Sequence, residues 1–146
     1  MRIARRAIAI VLTGFLLVVV AWVAQTYADL SQAMNRPDLR QNAITKYVIE
    51  QGAGRRWGTL VSLIPEPFAP NSGRPDVEQR LAGAGFARFE VDDFLAHFHP
   101  DLQQREVYVR EANTLVCNIQ LYVFVSFDEA GELALADATQ HERGCS

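Results

Sequence analysis

Any chemistry in this 146-residue chain must draw on two cysteines, three histidines and a few clustered acids. Cys117 and Cys145 have no Cys-x-x-Cys spacing, so they do not suit thiol redox catalysis. In an oxidising compartment two such thiols form a disulfide first. A Cys117–Cys145 bridge would close a loop of roughly 29 residues and contribute about 2 to 4 kcal/mol. His97 and His99 would share one face of a strand and could chelate a metal there, with Asp92, Asp93 or Asp101 adding oxygen ligands. On a helix the two rings diverge by about 200° instead, and Asp92 reads as a helix cap before Phe94-Leu95-Ala96. We therefore read His97, His99 and His141 as surface histidines and assign no metal ligand.

Other chemistries find less support. None of Ser31, Ser62, Ser72, Ser126 and Ser146 stands in a Gly-x-Ser-x-Gly setting or beside a base. Gly83-Ala84-Gly85 follows a helix instead of a strand, which is the wrong order for a phosphate cradle. The acid pairs Asp92/Asp93 and Asp128/Glu129 sit at turns, as caps and solubilising charges. Arg55-Arg56-Trp57 is a solvated basic doublet in a Gly-rich turn. The expectation is a chain with no catalytic residues and no cofactor.

The compartment follows from the first 28 residues. Ala7 to Ala24 is uncharged, and eighteen residues of helix reach roughly 27 Å, close to the ~30 Å hydrocarbon core of a bilayer. Arg2, Arg5 and Arg6 precede the stretch and Asp29 is the first acid after it, so the N-terminus is expected in the cytoplasm. The run exceeds the ~7 to 15 residues of a signal-peptide core, and Trp22 and Tyr27 fit an interfacial belt. The expected layout is a basic cytoplasmic segment (1–6), a transmembrane signal anchor (7–24), a linker (25–34) and one extracytoplasmic domain (35–146) in the periplasm or its equivalent. Setting aside the three N-terminal arginines leaves eleven Lys and Arg against seventeen Asp and Glu, a net −6 for the exported part. That balance argues against nucleic acid as a partner; the bilayer is met through 7–24.

Along the domain, Asn35-Arg36-Pro37-Asp38 starts a helix expected to run to about Gln51, with Leu39, Ala43, Ile44, Tyr47 and Val48 on one stripe and Gly52 and Gly54 as its stop. Thr59 to Ile64 is a short extended segment. The run from Pro65 to Pro75 is a loop, with Phe68 turned to the core. A second helix covers 75–82, a strand covers 86–91 and a capped helix covers 92–98, ended by Pro100. Strands are expected at 106–111, 115–127 and 132–137, joined by turns at Ala112-Asn113-Thr114 and Asp128-Glu129-Ala130-Gly131. On the longest strand Cys117, Ile119, Leu121, Val123, Val125 and Phe127 form the core face. Val116, Asn118, Gln120, Tyr122, Phe124 and Ser126 form the more polar opposite face.

Two of these stretches, SGRPDVEQRLAGAGF and LYVFVSFDEAGEL, together resemble small outer-membrane assembly lipoproteins of the SmpA/OmlA type over residues 70–136. The chain lacks that family's lipidated N-terminal cysteine. The resemblance implies helices on one face of an antiparallel sheet and no functional residues. The fold class expected is α+β: one N-terminal transmembrane helix, then a small domain with helices on one face of three to four antiparallel strands. The role expected is a non-catalytic membrane-anchored envelope protein, an accessory or assembly factor that binds another envelope protein. The alternative is a small-ligand or metal-binding domain built on residues 92–101.

Overall fold

The computed structural model describes residues 2–34, 36–52, 55–56, 58–102, 104–113 and 117–145, without the side chains of 2–10, 29–30, 33–34 and 145. Asn35, Gly54, Trp57 and residues 114–116, on which parts of the sequence reading fall, lie outside the described residues.

The fold is α+β with five antiparallel strands, more than the three to four expected. Helix α1 (Arg2–Met34) precedes α2 (Pro37–Arg40), α3 (Ala43–Gly52) and the two-residue strand β1 (Val61–Ser62). Helix α4 (Arg74–Gly83), β2 (Ala87–Phe89) and α5 (Asp93–Phe98) follow. A 3-10 turn (Pro100–Leu102) then leads to β3 (Glu106–Glu111), β4 (Cys117–Phe127) and β5 (Leu133–Cys145). The strand order is β1-β5-β4-β3-β2, so β2 to β5 form a meander and β1 flanks β5. Helix α1 holds one window long and apolar enough to cross a membrane, Val11–Ala28, and none of it is buried. The helix continues to Met34, so the residues expected as a linker are helical.

One face of the sheet carries the main core. Ile119, Leu121, Val123 and Val125 of β4, with Ala136 and Ala138 of β5, pack against Leu39, Ile44, Val48, Val77 and Leu81 of α2, α3 and α4. This is the expected core face of β4, and Phe68 joins it fully buried, as expected. Arg80 spans the Pro-rich loop, giving a hydrogen bond to the Pro67 carbonyl at 2.6 Å and lying 4.9 Å over the Phe68 ring.

The expectation of helices on one face is overturned. Leu95 of α5 and Leu102 of the 3-10 turn lie on the opposite face, against Val107, Tyr122 and Phe124. Tyr122 and Phe124, read as the more polar side, are fully buried. Alternation on β4 reflects two different covers, one aliphatic and one aromatic, and not an inside and an outside.

Two further boundaries move. The helix expected to continue to Gln51 breaks at Gln41-Asn42, because the Asn42 side chain accepts from the Ile44 amide at 2.9 Å and starts α3 afresh. The Thr45 hydroxyl donates back to the Leu39 carbonyl and secures the bend. The last strand, expected to end at Asp137, runs on to Cys145 with a β-bulge opposite Asn118 and Ile119.

The second face supplies a test. Phe124→Ala should lower unfolding free energy by about 3 to 5 kcal/mol, the range for truncating a buried aromatic ring. A change within about 0.5 kcal/mol in chemical denaturation is what a solvated position gives, and would contradict the double-sided core.

Candidate functional site: a histidine pair beneath helix α5

The extension of β5 changes what the chain can do, because it continues the rank begun by Asp137 with Thr139, His141 and Arg143 on the face covered by α5. Their partners across β4 are Phe124, Tyr122 and Gln120 for the first three. Each polar residue of this rank is held differently.

Arg143 anchors the start of α5. Asp92 caps that helix, its Oδ1 accepting from the Leu95 amide at 2.9 Å, as the sequence predicts. Its Oδ2 accepts from Arg143 Nη2 at 2.8 Å. The Arg143 hydrogen bond holds the Asp92 carboxyl below the usual carboxylate range, against the opposing effect of burial. The guanidinium also lies 4.0 Å over the Phe94 ring. It reaches the Tyr122 hydroxyl at 3.5 Å.

His141 meets the other end of α5. His99, the residue just past the helix, faces it Nε2 to Nε2 at 2.9 Å. That contact is a hydrogen bond when one ring carries the proton and the other offers its lone pair. Around His141 stand Phe98 (centroids 5.1 Å apart), Phe94 (5.5 Å) and Tyr122 (5.9 Å), while Phe124 lies 5.6 Å from His99. Gly58 closes the remaining side: its φ is +81°, and a Cβ there would come within 3.0 Å of His141 Cε1. His141 is 2% exposed. Burial pushes its pKa down to about 4, helped by His99 and then Arg143, and burial lowers His99 too. Both rings are therefore neutral near pH 7.

Between these groups, Thr139 is 1% exposed and its hydroxyl has no hydrogen-bond partner among the described residues. Asp137 is paired with Arg105. His97, by contrast, is exposed and stacks edge-on against Phe98 at 5.3 Å, so the structure does not bring His97 and His99 together. Asp93 and Asp101 are exposed. No cluster of three or more His, Cys, Asp or Glu able to hold a metal occurs among the described residues.

No family model, curated protein or solved structure matches the chain. The site is therefore read from its own geometry. Two neutral imidazoles that bond each other and are walled by aromatic rings can share or take up a proton. Among the described residues no carboxylate is bonded to either ring, as one usually is to a catalytic base. A separate concavity of about 350 Å³ opens between α3 and the Pro-rich loop, with Lys46, Glu50, Glu66 and Arg80 around it.

The two cysteines come together through the backbone. Cys117 is the ladder partner of Cys145 across β4 and β5, and no free cysteine occurs among the described residues. Neither this nor the histidine pair depends on a sequence motif. The signal for the pair was the alternation of Asp137, Thr139, His141 and Arg143 with Ala136, Ala138 and Gln140, a period-2 pattern continuing past the point where apolar residues thin out.

The buried histidine fixes the sign of a pH effect. With a folded pKa of about 4 against an ordinary ~6.5, the unfolded chain binds the proton first as pH falls. His141's contribution is then fully present above ~6.5 and is lost as pH drops from there toward 4, by about 3 kcal/mol in all. Denaturation of the wild type between pH 7 and 4 should show this loss. His141→Phe should remove most of it, and an unchanged pH slope in that variant would contradict the assignment.

Proposed function

We propose that this chain is a non-catalytic, membrane-anchored envelope protein that presents its α+β domain outside the cytoplasm to another envelope protein, as an accessory or assembly factor. The observation that carries the reading is the Val11–Ala28 window, apolar, helical and wholly unburied by the rest of the chain. Eighteen such residues left in water would expose a continuous hydrophobic surface, which a bilayer removes at no cost in backbone hydrogen bonds because a helix satisfies its own. Arg2, Arg5 and Arg6 on one side of the window and the first acid, Asp29, on the other favour an N-terminus in the cytoplasm. The domain then meets an oxidising compartment, and the Cys117/Cys145 pair is proposed as its disulfide. Directly opposed residues of an antiparallel ladder lie about 4.5 to 5.5 Å apart at Cα, within the ~4.4 to 6.8 Å a disulfide spans.

The proposed kinship with SmpA/OmlA-type assembly lipoproteins rests on the likeness of residues 70–136, where α4 leads into β2 and the β4–β5 hairpin closes on Gly131. That glycine adopts φ +78°, as a turn of this kind favours. The five strands and the second cover are features this chain has beyond the sheet implied by the resemblance.

A reporter enzyme active only outside the cytoplasm, fused after Ser146, should be active; activity only from a cytoplasmic reporter would overturn the topology. Gentle detergent extraction should recover a second envelope protein in stoichiometric amount, and recovery of the chain alone at native expression would overturn the accessory role. Cys117→Ser should cost about 2 to 4 kcal/mol without added reductant. Reductant should bring the wild type down to the variant, and equal stability of the two without reductant would exclude the bridge.

A further inference from the structure

We propose that residues 92–102 form an acid-opened lid, clamped at one end by the Asp92–Arg143 ion pair and latched at the other by the contact between His99 and His141. The inference rests on the geometry of the domain and is independent of the anchor and of the partner proposed above.

The lid is small and its attachments are few. Helix α5 has six residues, and the segment buries Leu95 and Leu102 against the β3–β4 face, while Phe98 stays half exposed. A unit with so little buried apolar area opens at far lower cost than the sheet beneath it. The polar contacts at its two ends therefore decide how often it opens.

Those contacts respond oppositely to acid. The latch needs one bare Nε2. A first proton can go to the Nδ1 of the donor ring and leave the hydrogen bond intact. A second must occupy the accepting Nε2, setting N–H against N–H at 2.9 Å between two cations. Aromatic rings wall the site and cannot hydrate those charges. The charged and titratable groups nearby do not relieve them. Arg143 on β5 is a further cation, and Asp92 at the start of α5 is already committed to it. Tyr122 on β4 stays neutral throughout, its pKa raised by burial. Asp137 on β5 is paired with Arg105, ahead of β3. His97 on α5 and Asp101 on the 3-10 turn are exposed. The Asp92 carboxyl, held below its ordinary range by Arg143, keeps its charge at pH 5. Acid thus frees the C-terminal end of the lid while the N-terminal end stays tied. Opening uncovers Tyr122, Phe124 and the unpartnered Thr139 hydroxyl, an aromatic surface with one polar point.

Hydrogen exchange read by mass spectrometry on the full chain in detergent micelles tests this, with intrinsic exchange rates corrected for pH. With His141 at about 4 when closed and ~6.5 when open, the opening constant of amides in 93–102 should rise roughly 20-fold from pH 7 to pH 5. Amides of β3 and β4 should rise far less. In His141→Gln the pH dependence of the lid should disappear while protection of β4 at pH 7 is retained, and in His99→Gln, at the more exposed position, it should shrink without vanishing, because His141 stays buried. Three results would each overturn the proposal: no change in 93–102 between the two pH values, the same change in both glutamine variants, or parallel loss of protection in β3 and β4. If His141→Gln does not fold, the His99→Gln result decides.

Discussion

A strand buried on both faces has to be covered twice, and β4 imposes that requirement on everything around it. Its odd positions carry Ile119, Leu121, Val123 and Val125 and its even positions carry Tyr122 and Phe124, all fully buried. With roughly 25 cal/mol gained per Å² of apolar surface removed from water, leaving either side open would forfeit the contribution of several large side chains. The chain answers with two unequal layers: α2, α3 and α4 on the aliphatic side, and the short α5 with its 3-10 turn on the aromatic side. The unequal layers explain why the polar groups gather where they do. Under the thin cover Asp92 meets Arg143 and His99 meets His141, paired as burial demands of polar groups.

Much of the local structure was legible in the residues themselves. Pro75 with Asp76 marked α4, Asp92 marked α5, and the alternation of Cys117 to Phe127 marked β4, because each depends on interactions a few residues apart. What failed depended on partners far along the chain. Tyr122 and Phe124 fall on the polar side of the pattern because Asn118, Gln120 and Ser126 share their parity, and nothing local says that Leu95 and Leu102 come to rest on them. The helix from Pro37 appeared continuous because the apolar stripe crosses Asn42. A side chain that caps α3 from within the pattern outweighed the periodicity. The apolar pattern of β5 stops with its leucines, although strand pairing needs only a neighbour, and β4 supplies one as far as Cys117.

The candidate site was the least legible part for the same reason. The sequence sets His99 beside His97, whereas its partner is His141, 42 residues away. The Cys117/Cys145 pair shows the opposite case. They are the two cysteines of the chain, and the β4–β5 register places them opposite each other although β5 extends past Asp137, where the apolar pattern ends.

The outer side of β5 carries a further consequence. From Glu132 to Gln140 its backbone is met in turn by Gly73, by Leu63, by the two residues of β1 and by Gly58, whose amide donates to the Gln140 carbonyl at 2.9 Å. On the far side the sheet ends in β2, three residues long. Short and irregular chain thus occupies the outer hydrogen-bonding groups of β5 up to Gln140, which a long strand would otherwise offer to a neighbouring copy. Molecules crowded side by side therefore find the main chain of 132–140 already taken, and zipping together along that stretch is closed to them.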